Sequence, residues 1–465
     1  MSFIRYKKFG NKEYAYEVTS YWDPEKKKPR QKTKYLGVVV DKEKKIFKKK
    51  SRERREKLIL DFGDTYFLNQ FINRVTFFEN LKKEMFLALI FYRLCYPSAM
   101  RYARMWYEGN IVRKFFDVDI SSQRISEFLE EIGDESIQRE FFKEYIRQIT
   151  PSEGIVIDTT ALPNQINIPR SSWGWHNEEI EKQIKLLLVI DRSTSLPLFF
   201  RYIAGNIVDV STLKATVEEL KKYGVSRYFL ILDAGFFSEE NIKELYNEEI
   251  QFLIRLPALR KLYKRLILEE SRELESYRNA VRYGRRVLFV KQREVELFGK
   301  RVYAYVVLDP ERKGREIRRT LLKVMDEIEE DEEEEMEYIL MKKGIMILIS
   351  SSEPDRENVI SLYYTRQIAE KLFGFPKDDL NLLPLRVHKE ETLRGYLFLQ
   401  FASLVVYSLL KRELGRDYTV EEVLLTLRNL KCKVYEDEII VQELTKQQRK
   451  IFEKFSIMVP KSMGI

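Results

Sequence analysis

Residues 154–158 read GIVID and residues 228–233 read YFLILD, so each stretch is a short apolar run that ends in an aspartate. Short runs of Ile, Val, Leu and Phe are typical of strands buried inside a sheet. In open α/β sheets the carboxyl ends of the strands carry the chemistry. We therefore predict an α/β fold in which Asp158 and Asp233 lie where a functional site forms.

A third candidate carboxylate lies in residues 361–380, which read SLYYTRQIAEKLFGFPKDDL. Four polar residues stand there at offsets of zero, three, seven and fourteen: Tyr363, Arg366, Glu370 and Lys377. At about 100° per residue, these positions fall within roughly 60° of one another on a helix. Gly374 and Pro376 are expected to end the helix before Lys377 is reached. The spacing alone leaves open a solvated helix face with an ordinary Glu–Arg pair.

Asp158, Asp233 and Glu370, with the signature Y-x2-R-x3-E-x6-K around the glutamate, resemble a DDE insertion-sequence transposase of the IS-four family. The resemblance covers residues 154–410 well and the flanks only loosely. It implies an RNase H-like catalytic core in which the three carboxylates bind two Mg²⁺ ions, for which Mn²⁺ can substitute. It also implies that the tyrosine, arginine and lysine of the signature hold DNA near the cleaved end.

The residue types suit this chemistry. Cleaving a phosphodiester needs an activated oxygen nucleophile and neutralised charge on the phosphorus, and two metal ions about 4 Å apart provide both. Mg²⁺ prefers carboxylate oxygens, and three carboxylates that converge without a cation repel each other. Arg366 can grip two phosphate oxygens, whereas Lys377 acts as a point charge. Asp191 and Asp209 are weaker candidates, because neither matches a role in the family.

The apolar runs also predict the order of the core. The predicted strands are 155–158, 185–191, 196–203, 228–232, 251–256 and 345–350. Three adjacent strands followed by helix, strand, helix and strand form the order that an RNase H-like sheet requires. Residues 163–177 are predicted to be an irregular loop, and residues 287–308 a β-hairpin turned at 298–300. In some relatives a tryptophan of the insertion stacks on a flipped base, a role open here to Phe298, Tyr303 or Tyr305.

The predicted architecture is an RNase H-like core with a β-rich insertion, preceded by a small β unit and a helical domain. The predicted domains are a basic β-hairpin DNA-binding segment (1–60), a helical DNA-binding domain (61–150), the first part of the core (151–256), the insertion (257–344), the second part of the core (345–410) and a C-terminal helical region (411–465). Within the helical domain, a helix opening at Ser121 or Ser122 resembles the recognition element of a helix-turn-helix. An ordinary helical bundle is equally open.

Positive charge is concentrated at the N-terminal end. The chain has 82 Lys and Arg against 73 Asp and Glu, whereas residues 1–60 alone have 20 against 8. That segment is therefore the first electrostatic candidate for DNA. Its lysines and arginines are interleaved with tyrosines, which suits phosphate contact and base stacking but gives no pattern that reads sequence. A solvated basic surface is the alternative.

Cysteine and histidine are too scarce for a zinc site. Cys95 and Cys432 are predicted to be buried thiols in a reducing compartment, and two histidines make a histidine-based metal centre improbable. Residues 397–410 are interrupted by polar side chains and are predicted to form a core helix rather than a membrane span. No secretory signal is recognisable at the N-terminus, so we expect a cytoplasmic, nucleoid-associated prokaryotic protein with no membrane partner.

These features predict a metal-dependent DNA transposase that cuts at the ends of its own element and joins the 3′-hydroxyl to target DNA. The expected partners are double-stranded DNA, as terminal inverted repeats and as target, and a second copy of the chain. Two alternatives stay open: an RNase H-like nuclease without strand transfer, and a catalytically inactive DNA-binding relative.

Overall fold

The computed structural model contains both helices and strands, which confirms a mixed α/β protein. It describes residues 2–9, 12–23, 28–48, 58–76, 83–149, 154–163, 172–176, 179–204, 210–225, 229–324, 333–364, 389–415 and 417–464. The chain forms two compact units. The first comprises residues 1–59, 433–440 and 462–465, and the second comprises residues 60–432 and 441–461.

The strands are β1 (Ser2–Phe9), β2 (Lys12–Asp23), β3 (Lys28–Asp41), β4 (Ile46–Lys48), β5 (Leu58–Asp61), β6 (Ile155–Pro163), β7 (Ser172–His176), β8 (Glu179–Asp191), β9 (Pro197–Ala204), β10 (Phe229–Leu232), β11 (Gln251–Arg255), β12 (Ala280–Tyr283), β13 (Arg286–Leu297), β14 (Lys300–Leu308), β15 (Ile345–Ser350), β16 (Lys431–Val434), β17 (Glu438–Val441) and β18 (Ser462–Gly464).

The α-helices in the described residues are α1 (Gly63–Ile72), α2 (Glu84–Cys95), α3 (Ala103–Glu108), α4 (Val112–Phe115), α5 (Ser122–Ile132), α6 (Glu135–Ile149), α7 (Val210–Lys222), α8 (Glu239–Asn247), α9 (Lys261–Leu274), α10 (Pro310–Val324), α11 (Glu333–Met341), α12 (Arg356–Tyr364), α13 (Glu390–Leu414), α14 (Val420–Arg428) and α15 (Lys446–Lys454).

In the first unit, β1 to β4 form an antiparallel sheet in chain order. The predicted basic hairpin corresponds to β2 and β3, the two long central strands, and the loop at 24–27 lies outside the described residues. Ala15 and Val18 of β2 are fully buried. The basic segment thus contains a small sheet of four strands rather than a single hairpin.

The second unit is organised around a ten-stranded sheet. Its order is β12-β13-β14-β15-β11-β10-β6-β8-β7, with β9 also paired to β8. All six predicted strands are present within it. The pairings of β10 with β6 and β11 are parallel, and those of β8 with β6, β7 and β9 are antiparallel. β10 is entirely apolar and β15 is apolar except for the buried Ser350, which explains why apolar runs alone located these strands.

Two predictions were wrong: the end of the first core strand and the irregular loop that follows it. Asp158 does not end its strand, because β6 continues to Pro163 through backbone pairing with β8. The predicted irregular loop contains β7, which pairs with the beginning of β8 from Glu179 to Gln183. Cross-strand pairing with an unusually long β8 therefore extends both segments beyond what their own sequences indicate.

The predicted hairpin at 287–308 is confirmed as β13 and β14. Phe298 and Gly299 between them have φ values of 52° and 85°. Positive φ at both central residues is the geometry of a type I′ turn, which matches the twist of the flanking strands. Because β14 also pairs with β15, the hairpin extends the core sheet rather than standing apart from it.

The apolar helix α13 lies in the core, as predicted. Among the described residues it is the one helix long and apolar enough to cross a membrane, but 89% of its most apolar window is buried inside the protein. It crosses α5 at very short range. A Cβ added to Gly395 would lie 1.8 Å from the carbonyl oxygen of Leu129, and one added to Gly133 would lie 1.9 Å from that of Glu391. The two glycines are therefore required by close backbone approach.

The helix at Ser122–Ile132 confirms the predicted element, with Ser121 at the N-cap position but no side-chain cap bond. Gln123 and Arg124 both donate to the Glu127 carboxylate. The two cysteines are buried free thiols, as predicted. Burial raises the pKa of Cys432 to about 11, which keeps it protonated near neutral pH.

Candidate active site

The register of β6 against β10 brings the two aspartates together. In this parallel pair, Ile155 lies opposite Leu230 and Val156 lies opposite Ile231. Two residues further along, the same register sets Asp158 opposite Asp233. Opposed residues of adjacent strands are about 4.8 Å apart and point to the same face. The two carboxylates therefore lie on one face of the sheet at the point where β10 ends.

The two carboxylates differ in exposure. Asp158 is 4% exposed, whereas Asp233 is half-buried. Asp233 keeps an extended backbone, with φ −80° and ψ 168°, and then begins a single 3₁₀ turn at Ala234–Phe236. The turn directs the chain away from the sheet immediately after the carboxylate. One buried and one accessible carboxylate on one face form a donor set of the kind that divalent cations prefer.

The predicted third carboxylate, Glu370, lies outside the described residues, as do Arg366 and Lys377. Within the described part of the chain, no group of three or more His, Cys, Asp or Glu side chains is close enough to hold a metal ion. Of the three predicted carboxylates, the described residues include Asp158 and Asp233 only. The roles of Arg366, Glu370 and Lys377 stay predictions.

Tyr363 lies near the end of α12 and its side chain is only 5% exposed. Its ring lies 6.1 Å from that of Tyr364. Tyr364 in turn stacks on Tyr283 of β12, and Arg356 donates to the carbonyl oxygen of Arg278 at 3.1 Å. Residue Arg278, just before β12, therefore contacts the beginning of α12, and Tyr283, at the end of β12, contacts its end.

The β12–β13 hairpin carries a cluster of cations that sequence reasoning missed. We call Arg278, Arg282 and Arg285 the arginine hairpin; all three are exposed, and none forms an ion pair with a described residue. A fourth arginine, Arg286, is paired with the buried Asp309. Residues 278–286 read RNAVRYGRR, four arginines without a carboxylate. This high density of positive charge around Gly284 could have indicated the cluster from the sequence alone.

The aromatic residues considered for base stacking differ in accessibility. Tyr305 is fully buried and donates its hydroxyl to the carbonyl oxygen of Pro354 at 2.6 Å, so it is unavailable to a base. Phe298 lies 6.1 Å from Phe237 in the hairpin turn. By contrast, Tyr277 beside the arginine hairpin is 94% exposed.

Asp191 has a structural role. It is fully buried, and its Oδ2 accepts hydrogen bonds from the Ser193 hydroxyl, the Thr194 hydroxyl and the Thr194 amide at 2.6 to 2.7 Å. These bonds shape the turn between β8 and β9, which is a common use of aspartate. The geometry supports ranking Asp191 below the two opposed aspartates, and Asp209 lies outside the described residues.

Comparison with known proteins identifies the family. Residues 149–406, more than half of the chain, match the family model described as the transposase DDE domain. The piggyBac transposase synaptic complex with hairpin DNA is 14% identical, with a TM-score of 0.41 over 78% of this chain and 75% of that chain. The Drosophila P element transposase strand transfer complex is 12% identical, with a TM-score of 0.23 over 77% and 89%.

No curated protein matches the chain. The family match carries the assignment. It spans the whole of β6 and β10 and thus both opposed aspartates. This chain belongs to the transposase DDE domain family.

Proposed function

We propose that this protein is an insertion-sequence transposase of the IS-four type, which cuts DNA at the ends of its own element and joins the freed 3′-hydroxyl to target DNA. The observation that carries the proposal is the β6–β10 register, which sets Asp158 opposite Asp233 within the family match. Glu370 completes the carboxylate triad, as the signature around it implies.

The strand order supports an RNase H-like core. The strands β6, β8 and β9 come first and pair antiparallel in the sheet. They are followed along the chain by α7, β10, α8 and β11, and β6, β10 and β11 are mutually parallel. This is the order predicted for such a core. The sheet continues beyond it into β15 and the β12–β14 strands, which form the insertion in this proposal.

The residues fit a pair of Mg²⁺ ions, or Mn²⁺ in their place. When bound, the ions supply an activated oxygen nucleophile and neutralise charge on the phosphorus and leaving oxygen. Asp158 and Asp233 would hold them from the sheet and Glu370 from the segment after α12. Without a cation the opposed carboxylates repel each other, so the site itself favours metal binding.

Cationic side chains would hold the DNA. Arg366 and Lys377 contact phosphates near the cleaved end, and Tyr363, which is largely buried, contributes from the edge of α12. The arginine hairpin, fastened to α12, contacts duplex phosphates beside the site. The first unit supplies further basic surface. A second copy of the chain binds the other end of the element.

The proposal is tested by incubating the protein with DNA that carries the element's ends and a target plasmid, with Mg²⁺ or Mn²⁺. We expect metal-dependent cleavage at the ends and joined products. Asp158→Asn, Asp233→Asn and Glu370→Gln should each abolish both while DNA binding persists. Glu239→Gln, an exposed carboxylate on α8, is the matched control and should be active.

The outcomes separate the alternatives. Cleavage without joined products would replace the proposal by a nuclease without strand transfer. DNA binding without cleavage in the unaltered protein would indicate an inactive relative. Full cleavage by any one triad variant would remove that residue from the site.

A further inference from the structure

The sheet of the first unit has two chemically different faces. Directly opposed residues in an antiparallel pair point to the same face, so the register assigns every side chain. Arg5 lies opposite Tyr16, which lies opposite Tyr35. Continuing along the strands, one face collects six aromatic rings: Phe3, Phe9, Tyr14, Tyr16, Trp22 and Tyr35. We call it the aromatic face.

Four rings of the aromatic face form a chain of contacts, and three of the six rings are well exposed. Ring centroids are 5.8 Å apart for Phe9 and Tyr14, 6.3 Å for Tyr14 and Tyr35, and 5.4 Å for Tyr16 and Tyr35. Phe3 is 47% exposed, Phe9 61% and Trp22 62%. Large aromatic side chains left this exposed on a sheet mark a binding surface rather than a packed core.

Both faces carry cations, but the described carboxylate side chains of β2 lie on one face only. Arg5, Lys7 and Lys12 lie on the aromatic face, where the Lys7 ammonium is 5.8 Å from the centroid of Tyr16. Glu13 and Glu17 of β2 lie on the opposite face, together with Lys8, Lys32 and Lys34.

The carboxylate of Asp41 stabilises a turn. Asp41, at the end of β3, accepts from the backbone amides of Glu43 and Lys44, both at 3.0 Å. Among the described residues, the aromatic face thus combines rings and cations without an acidic group. That combination is complementary to a polyanion with flat, apolar surfaces.

We infer that the aromatic face binds an unpaired stretch of DNA, with bases stacked on its rings and phosphates at Arg5, Lys7 and Lys12. In a duplex the flat faces of the bases are covered by their neighbours, and Phe rings carry no group that reads a groove edge. Stacking on exposed rings beside cations is how single strands are bound. The inference rests on the proposed function, because it takes DNA to be the polyanion that this protein binds.

The test compares neighbouring residues on opposite faces. Trp22 belongs to the aromatic face, whereas Tyr21, 47% exposed, belongs to the other. Binding of the full-length protein to a fluorescent 20-nucleotide single strand and to the matching duplex is measured by anisotropy. The variants are Trp22→Ala, the double variant Phe3→Ala/Phe9→Ala and the control Tyr21→Ala. All of these side chains are exposed, so thermal unfolding should be unchanged.

We expect the two aromatic-face variants to bind the single strand about tenfold more weakly, with duplex binding and the Tyr21→Ala control within about twofold of the unaltered protein. Equal loss for Tyr21→Ala, or equal loss of duplex binding, would overturn the inference. Tighter binding of an RNA strand of the same sequence would overturn it in favour of RNA. An altered oligomeric state without a change in DNA affinity would overturn it in favour of a second copy.

The proposed transposase activity and the proposed single-strand binding can be tested separately. Asp233→Asn should abolish cleavage but leave binding of the single strand intact. Single-strand binding by a protein that never cleaves would contradict the proposed function and not the aromatic face. Cleavage by a protein whose aromatic-face variants bind normally would contradict only the aromatic face.

Discussion

The rings of Tyr283 and Tyr364 stack with their centroids 5.0 Å apart and their planes 27° apart. Tyr283 ends β12, and Tyr364 follows the signature Tyr363 on α12. The stack joins the arginine hairpin to the helix that leads into the predicted catalytic glutamate. The edge strand β12 of the ten-stranded sheet and α12 are thereby held in one arrangement.

The stacked pair should show energetic coupling. In a double-mutant cycle of Tyr283→Ala and Tyr364→Ala, we expect a coupling free energy of about 0.5–1.5 kcal/mol, because offset aromatic pairs contribute that much beyond burial. Urea unfolding of the four proteins measures it. Tyr364→Phe keeps the ring and should retain the coupling. Additive effects would show that the stack contributes no stability of its own.

The arginine hairpin should contribute to DNA affinity without reading sequence. Arg282→Ala/Arg285→Ala should weaken duplex binding and reduce the slope of log K against log salt by about 0.9 for each lost phosphate contact. Arg265→Ala is the control for lost charge, because Arg265 of α9 is exposed and ion-paired with Glu269. A salt dependence that is the same in all three proteins would exclude a direct contact.

Gly395→Ala should destabilise the second unit strongly. The new Cβ would overlap the Leu129 carbonyl oxygen at 1.8 Å, so α5 and α13 must separate, and we expect a loss of about 3 kcal/mol or more. Gly314→Ala is the control: Gly314 lies within α10 with open space around it, so alanine should stabilise by about 0.5–1 kcal/mol. Chemical denaturation compares them. A tolerated Gly395→Ala would mean that the helices cross at longer range.

Because of Glu270, the free energy of unfolding should decrease as the pH is lowered into the acid range. Burial alone would raise its pKa, but hydrogen bonds from Arg293 and Lys291 of β13 hold the pKa below its ordinary value. The stability it contributes is therefore present above its unfolded pKa and lost as the pH falls through its folded pKa. Glu270→Gln should be less stable by about 1.5–3 kcal/mol at pH 7, because it loses hydrogen bonds to charged groups, and the gap should narrow on acidification. A gap independent of pH would contradict this.

The apolar runs in the sequence predicted where the strands of the sheet lie, but not how the strands align with one another. The runs at Ile155 and Phe229 are apolar enough to specify buried strands, and the turn at Phe298–Gly299 is specified by its own residues. The register that opposes Asp158 and Asp233 depends on how distant strands pair, which neither run encodes alone. The extension of β6 past Asp158 depends on the same long-range pairing.

The arginine hairpin was missed for a different reason. Exposed arginines are ordinary on a surface, and this group differs in having no acidic partner among the described residues and in adjoining the Tyr283–Tyr364 stack. The two faces of the first unit likewise require the register of β1, β2 and β3, since the sequence shows only that cations and tyrosines alternate.

The most direct test of the account is Mn²⁺ binding, followed by the electron paramagnetic resonance signal of the free ion. The opposed carboxylates of Asp158 and Asp233 should hold the ion. We predict that Asp158→Asn and Asp233→Asn each bind Mn²⁺ at least about tenfold more weakly than the unaltered protein, because each variant removes a charged ligand. Glu239→Gln should bind like the unaltered protein. Undiminished Mn²⁺ binding by both aspartate variants would contradict the account.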